Sequence, residues 1–363
     1  MRARSAVLAV VWLAAAVTAC DHTATFAIPT FTPNGSLGSG PALRLTYNPG
    51  TDLYAIWLPG AAGILYTAER VDRVDHDHCF AVLPSGGGTI ARYECPSTSP
   101  NDSIDVFDGA SLSPDGQIAY VRASSRRLPA PPIVPQLEGL VVAPLADPTN
   151  AIELRSLDYT APPPSGRQHQ GISHIGWLSP TRLVYLGERV TYPQACSGCA
   201  PDTVRTGIEI ATLDFGGATP VLAIVPGTDS ASSVAVGGTG DTIYFSRNGD
   251  SRVYRYTFSN GQTDTIHDFS ATGIARDVGV SAGRLVAVVG GDVTYVVDSV
   301  LGASQVDRGG EIHVVTLTSG AETVIGNAFS RFRRPALSPD GTRVVVEVQT
   351  FGNFSDLWLL DVP

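Results

Sequence analysis

The chain has 363 residues, of which 43% are hydrophobic and 16% charged, with 38 Gly and 26 Pro. This composition excludes an intrinsically disordered chain, a coiled coil and a bundle of long helices. The 24 basic residues are outnumbered by 34 acidic ones, so the net charge is −10. A general nucleic-acid-binding protein is excluded on this ground, because it needs a surplus of positive charge to contact phosphates.

The amino terminus has the layout of an export signal. Arg2 and Arg4 precede an apolar run from Val7 to Val17, which is shorter than the ~20 residues a membrane-spanning helix needs. The run ends in Val17-Thr-Ala-Cys20, which resembles the lipobox of bacterial lipoproteins. The resemblance implies a signal peptide over residues 1–19 and a lipid-modified Cys20; the alternative is an ordinary signal peptide with a chance cysteine. We therefore expect a lipid-anchored protein of the bacterial cell envelope, on the periplasmic or cell-surface side.

Residues 20–41 are rich in Thr, Pro, Gly and Ser, which predicts a flexible tether after the lipid. Of five cysteines, four remain besides Cys20, and an even number in an exported protein suggests disulfides. Proximity favours the pairs Cys79–Cys95 and Cys196–Cys199, although three pairings are formally open. The spacing of Cys196 and Cys199 also permits a redox or metal role, but the thioredoxin-like context and a second ligand pair are missing.

From residue 42 onward, short alternating or β-branched runs are separated by Gly, Pro and Asp, which is typical of an all-β chain. One unit recurs: an apolar strand, a tight turn and a second apolar strand. In each copy an apolar residue, here called the turn anchor, comes directly before the turn. The turn anchors are Leu58, Leu112, Leu178, Val236, Val280 and Leu337. The clearest turns read Ser-Pro-Asp-Gly, in which Pro presets φ, Asp bonds its own backbone and Gly supplies a positive φ. Six copies of about four strands each predict a six-bladed β-propeller over residues 42–363.

The Ser-Pro-Asp-Gly hairpins resemble the WD40-like repeats of the TolB-like six-bladed propellers, over nearly all of residues 42–363. The resemblance implies a fold and leaves the activity open, because propellers host many functions. The last repeat has three strands before Pro363, so we expect residues 42–47 to supply its fourth, outer strand. The alternative fold, two β-sandwiches in tandem, would need a central linker that the sequence lacks.

The long connections are predicted on one face of the propeller and the short Ser-Pro turns on the other. The long connections comprise residues 68–78, 94–108, 122–136, 158–173, 188–206 and 291–310. Variable loops on a rigid scaffold commonly carry function, so we expect binding at the loop-rich face. The residues that enter the innermost strands should surround the channel mouth there: Asp52, Asp108, His169, His174, Asp229, Arg276, Asp277, Arg331 and Arg334. This mixed polar ring suits a polar small ligand or a peptide terminus, although a water-filled channel also needs a polar lining.

Four histidines predicted on the loop-rich face are weak candidates for a divalent metal: His76, His78, His169 and His174. Their spacing is not diagnostic, and no cofactor is predicted. The sequence contains no GxSxG, HExxH, P-loop or dinucleotide-binding motif. We therefore expect a non-catalytic module that binds an envelope protein or a polar ligand. The alternatives are an envelope lyase or hydrolase that uses Asp108, His169 and His174 at the channel mouth, and a purely structural lipoprotein.

Overall fold

The computed structural model describes residues 42–47, 49–71, 77–96, 103–127, 133–158, 166–192, 204–290, 294–298, 302–306, 310–326, 331–349 and 355–363. The chain divides into Met1–Pro33 and Asn34–Pro363, and every described residue lies in the second unit. The regular structure of these residues is almost entirely strand, apart from one 3-10 turn at Pro59–Ala61. No helix in the described ranges has the length and apolar character needed to cross a membrane.

Twenty-four strands form six antiparallel units of four, here called blades one to six. Blade one contains β2 (Asp52–Trp57), β3 (Ile64–Glu69), β4 (His78–Leu83) and β5 (Arg92–Glu94). Blade two contains β6 (Ser103–Leu112), β7 (Gln117–Arg127), β8 (Ile133–Pro144) and β9 (Ile152–Asp158). Blade three contains β10 (Gly166–Ser179), β11 (Arg182–Tyr192), β12 (Val204–Asp214) and β13 (Val221–Ile224).

Blade four contains β14 (Ala231–Val236), β15 (Thr242–Arg247), β16 (Arg252–Thr257) and β17 (Gln262–Asp268). Blade five contains β18 (Ile274–Ser281), β19 (Arg284–Gly290), β22 (Glu311–Thr316) and β23 (Glu322–Val324). Blade six contains β24 (Arg331–Leu337), β25 (Arg343–Gln349), β26 (Ser355–Asp361) and β1 (Ala42–Arg44). Blades one and two are joined in one sheet by a single parallel pair, His78 with Val106.

The first strands of the six blades form a closed ring, because each lies against the first strands of the two neighbouring blades. The order around the ring is β2, β6, β10, β14, β18, β24 and back to β2. Each of the six interfaces between adjacent blades contains its own cluster of buried apolar side chains. The alternating runs in the sequence therefore bury both faces of each blade, and the predicted six-bladed propeller is confirmed.

The amino-terminal strand closes the ring as predicted. Ala42 pairs with Leu360 and Arg44 with Trp358, so β1 is the outer strand of blade six. The guanidinium of Arg44 forms a 2.7 Å ion pair with Asp356. Residues 45 and 46 continue the contact with β26, since the amide of Leu45 donates to the carbonyl of Leu357. Both ends of the described chain are thereby held in one sheet.

The short turns after each innermost strand lie where the sequence predicts them. In two of them the serine side chain forms hydrogen bonds that the sequence analysis did not predict. In the turn from residue 113 to 116, the Ser113 hydroxyl donates to Asp115 and accepts from the amide of Gln117. Ser338 repeats both contacts with Asp340 and Arg343. In both turns the serine therefore links the turn carboxylate to the backbone at the start of the second strand.

Several connections that the sequence interpretation treats as irregular loops are partly strand. Residues 122–127, 188–192 and 204–206 extend the long strands of blades two and three. The insertion at 291–310 contains a separate hairpin of β20 (Thr294–Asp298) and β21 (Gly302–Val306). In blade three and in the separate hairpin, β-branched residues such as Val190, Thr191 and Val204 favour this continued pairing.

One predicted disulfide is confirmed. Cys79 on β4 and Cys95 just after β5 are bonded, with their Cα atoms 4.3 Å apart. The bond ties the third strand of blade one to its short outer strand. Cys20, Cys196, Cys199 and His76 lie outside the described residues.

Candidate functional site

Each innermost strand contains an irregularity in its pairing with the second strand of its blade. The pairing registers shift between Leu53 and Ile56, Asp108 and Ser111, Ser173 and Gly176, Ala231 and Ser233, Ala275 and Val278, and Arg333 and Ala336. Such bulges redirect side chains at defined points of a sheet. Six of them around one ring bring side chains from all the blades to the same level of the channel.

Three of these bulges hold a non-glycine residue in the left-handed backbone region. Tyr54 has φ 55°, His174 has φ 50° and Arg334 has φ 43°. The equivalent position in blade two is Gly109, with φ 62°. Side chains other than glycine at such φ values cost roughly 1–3 kcal/mol each and concentrate at functional sites. A tyrosine, a histidine and an arginine are therefore held here at a cost in stability.

Arg334 is the centre of the arrangement. Its guanidinium donates a 2.7 Å hydrogen bond to Glu347, which is fully buried, and lies 4.1 Å from the centre of the Tyr54 ring. The other oxygen of Glu347 accepts a 2.6 Å hydrogen bond from the amide of Tyr54. Burial raises the pKa of Glu347 and raises the pKa of Tyr54 to about 12. Burial opposes the charge of Arg334, but Glu347 and the other nearby anions raise its pKa, so the guanidinium stays charged.

Asp277 connects Arg334 with His174. One of its oxygens accepts a 3.0 Å hydrogen bond from the amide of Arg334, and the other lies 3.6 Å from Nε2 of His174. Burial alone would raise the pKa of this carboxyl group. The His174 imidazole and the Arg334 guanidinium outweigh burial and hold the pKa of Asp277 well below its usual range. Asp277 is therefore an anion in the folded protein.

His78 and Asp108 form a second imidazole–carboxylate pair close to Arg334. Burial raises the pKa of Asp108, against the opposing influence of the His78 and Arg334 charges. Thr67 lies beside this pair and donates to the carbonyl of Phe107. The seven residues Tyr54, His78, Asp108, His174, Asp277, Arg334 and Glu347 are called the channel cluster below.

Three polar atoms of the channel cluster are buried without a hydrogen-bond partner within the described part of the chain. They are Nδ1 of His78, Oδ1 of Asp108 and Nε2 of His174, the last of which lies 3.6 Å from Oδ1 of Asp277, beyond hydrogen-bond distance. A buried polar atom in this condition costs about 1–3 kcal/mol. A bound molecule that offers both donors and acceptors would satisfy all three.

The remaining residues of the predicted channel ring take different positions. Asp52 is fully buried. Burial of Tyr66 is the main cause of the raised pKa of that residue, and the charge of Asp52 raises it further. Asp229 is largely exposed and contacts Arg189, which also binds Glu209. Arg331 is exposed at the start of β24, and Arg276 on β18 is half-buried. The backbone of His169 pairs with that of Arg189.

The structure thus brings His78, Asp108, His174, Asp277 and Arg334 together, and it adds two residues that the sequence analysis missed. Glu347 is the single acid among the valines of β25, which is a usable signal. Tyr54 lies four residues before the turn anchor Leu58, as His174 lies four before Leu178. Aligning the repeats on their turn anchors would therefore have identified Tyr54.

A metal centre is not assembled by these side chains. Within the described ranges, no three His, Cys, Asp or Glu side chains come close enough together to hold a metal ion. His78 and His174 instead each face a carboxylate.

Comparison with known proteins supports the fold alone. No family model matches the sequence, and no curated protein matches it. A gluconolactonase from Xanthomonas campestris is 11% identical with TM-score 0.50, and the match covers 90% of this chain and 91% of that one. An oligogalacturonate lyase in complex with manganese is 12% identical with TM-score 0.48, covering 90% and 94%.

TolB from Acinetobacter baumannii is 12% identical with TM-score 0.47, and the match covers 86% of this chain. The chain spans only 64% of the length of that TolB. At these identities, similarity extends to the propeller fold and carries no activity with it. The chain is a six-bladed β-propeller in architecture.

Proposed function

We propose that this protein is a binding module of the bacterial cell envelope, anchored by lipid on Cys20, and that the channel cluster holds its ligand without chemical conversion. The ligand is a polar small molecule or a polar segment of another envelope protein. The observation that carries the proposal is that Nδ1 of His78 and Oδ1 of Asp108 are buried without a hydrogen-bond partner in the described part of the chain, in one cluster with His174. The strained backbone at Tyr54, His174 and Arg334 supports it.

The chemistry of the cluster favours a ligand that donates hydrogen bonds. Three carboxylates, at Asp108, Asp277 and Glu347, lie in it, and Arg334 is already engaged by Glu347. The free oxygen of Asp108 accepts from an amino or hydroxyl group, and an imidazole nitrogen donates or accepts according to its tautomer. A peptide amino terminus or a hydroxyl-rich small molecule meets these requirements.

The test is cross-linking in intact envelopes with the tagged full-length protein, followed by mass spectrometry. We expect a defined species to be captured by the wild type, and capture to fall about tenfold in His174→Ala and in Asp108→Asn, a loss of about 1.4 kcal/mol. Asp264→Asn is the matched control, because Asp264 pairs with Arg255 on the exposed outer strand of blade four. Equal capture by all the variants would contradict binding at the channel cluster. In parallel, Cys20→Ser should release the protein from the membrane fraction.

A lyase or hydrolase is the second candidate, and the two imidazole–carboxylate pairs favour it. His78 beside Asp108 and His174 beside Asp277 have the composition of acid–base pairs. Turnover of an envelope polysaccharide or peptide by the purified protein, abolished by His174→Ala and retained by Asp264→Asn, would establish this activity in place of simple binding.

A further inference from the structure

The central channel contains a second space, at the end opposite the loop-rich face. A cavity of about 620 Å³ opens where the short turns lie, and all six blades contribute to its walls. The walls come from the last residues of the innermost strands and from the prolines of the three Ser-Pro turns, Pro114, Pro180 and Pro339. This volume is in the range of sites that enclose a small organic molecule.

Among the residues that the structure describes, those lining this cavity include no charged side chain and no histidine. It consists of aliphatic side chains, prolines, glycines, a few hydroxyl residues and the indoles of Trp57 and Trp177. Both indole N–H groups are already used across blade interfaces, since Trp57 donates to Ala336 and Trp177 to Ser111. The tryptophans therefore offer their apolar rings to the cavity. An ionic ligand would lose its hydration there without gaining an oppositely charged partner.

The cavity and the channel cluster are successive levels of one channel. The cluster contains charged side chains, and the residues that line the cavity are uncharged. Ile175, Val278 and Pro335 line the cavity, and each directly follows a member of the cluster in the sequence. The bulge in the innermost strands marks the change from charged to uncharged side chains. A ligand in the cavity would therefore contact different residues from the ligand proposed for the channel cluster.

We propose that the cavity at the short-turn end of the channel is a binding site for an uncharged, mainly apolar small molecule. Burial of its apolar surface against the aliphatic and indole walls supplies the affinity, at roughly 25 cal/mol per Å² removed from water. Selectivity against charged molecules follows from the uncharged lining.

The test uses a neutral fluorescent probe, N-phenyl-1-naphthylamine, with the full-length protein. We expect saturable binding of one probe per chain, and much weaker binding of the anionic probe anilinonaphthalene sulfonate. Gly238 lines the cavity, and a Cβ there meets no atom within 4 Å, so Gly238→Trp places an indole at the cavity. This variant should weaken binding of the neutral probe about tenfold.

Gly86→Trp is the matched control. A Cβ at Gly86 also meets nothing within 4 Å, and Gly86 lies outside the cavity, between β4 and β5. The proposal is overturned if the wild type binds no neutral probe, if both variants bind it equally, or if the anionic probe binds as well. It is also overturned if sedimentation shows a dimer that Gly238→Trp dissociates, because a second copy would then fill the cavity.

A second measurement needs no variant and covers the case in which Gly238→Trp does not fold. A neutral aryl diazirine, photolysed with the wild-type protein, should label peptides that contain residues 175–180, 234–240, 278–281 and 335–339. Labelling confined to other peptides would overturn the proposal.

Discussion

The cost of charge burial is concentrated in a few residues of the channel cluster. Asp277 and Arg334 compensate one another, but burial raises the pKa of Asp108 despite its neighbours His78 and Arg334. A raised carboxyl pKa means that the native state favours the protonated form. Its contribution to stability is present at low pH and is lost as pH rises through the pKa of the folded state.

Asp108→Asn should therefore stabilise the protein while it impairs ligand capture. The amide removes the cost of burying an ionised group, and we expect a gain of about 1 kcal/mol at pH 8 that shrinks towards pH 4. Urea unfolding at both pH values measures it. Asp264→Asn, on an exposed strand, should change the free energy of unfolding little at either pH. A destabilised Asp108→Asn protein at pH 8 would show that the carboxylate is needed for the fold.

At the level of the strand, blades four and five are joined at their outer strands by a shared carboxylate. Glu322 on β23 contacts His267 on β17 at 2.7 Å and His313 on β22 at 2.6 Å. His313 is nearly fully buried and also lies 3.3 Å from Glu311. Burial would raise the pKa of Glu322, but its hydrogen bonds to the two imidazoles outweigh burial and lower it. The contribution of the ionised carboxylate is present above the pKa of the unfolded state and is lost as pH falls through the lowered pKa of the folded state.

Glu322→Gln should lower the free energy of unfolding by about 1 kcal/mol at neutral pH, a value reduced by the partial exposure of the carboxylate. The difference from wild type should disappear as acid protonates Glu322. Chemical denaturation between pH 7 and pH 3 measures this dependence. Glu94→Gln is the control, because Glu94 pairs with Arg92 inside one blade at 3.5 Å. A difference that stays constant with pH would show that the amide acts by packing alone.

For the whole molecule, stability depends on closing the ring with a strand from the other end of the chain. The core of blade six includes Trp358 and Leu360, which lie on β26, next to β1. Without β1, β26 becomes an open edge with an apolar sequence, and such edges invite aggregation. The ion pair of Arg44 with Asp356 and the hydrogen bond from the amide of Leu357 to Thr46 would also be lost.

A chain that lacks residues 1–47 should accordingly unfold about 5–10 °C lower than one that lacks residues 1–33, for a loss of ~3 kcal/mol. Thermal denaturation followed by circular dichroism compares the two. Amide hydrogen exchange should show protection lost first in β26. Identical melting curves would mean that the outer strand of blade six contributes nothing to closure.

The parts of this fold that depend on local chemistry could be predicted from the sequence. A Ser-Pro-Asp-Gly turn is determined by the φ preferences of Pro and Gly and by short-range side-chain contacts. Each such turn can therefore be located from its own four residues. Repetition of the turn then implies the number of blades. The bond between Cys79 and Cys95 was predictable for a similar reason, since only 16 residues separate them.

The channel cluster could be predicted only in part. Asp108, His174, Asp277 and Arg334 enter the innermost strands and were identified from that position alone. The partners of Arg334 were not, because Glu347 lies on a second strand and Tyr54 is 293 residues away from it in the chain. Contacts over such separations depend on ring closure and on where each bulge falls, and neither is a property of a local segment.

By itself, then, the sequence determined the all-β class, the six repeats, an outer strand supplied from residues 42–47 and the net acidity. These follow from alternation, turn chemistry and composition, which act over a few residues. Only the tertiary structure decided that Arg334 binds Glu347 under the ring of Tyr54, and that the polar level of the channel lies above an uncharged cavity. The physical reason is that both features arise where six strands distant in the chain meet around one axis, and side chains there are paired by the geometry of closure.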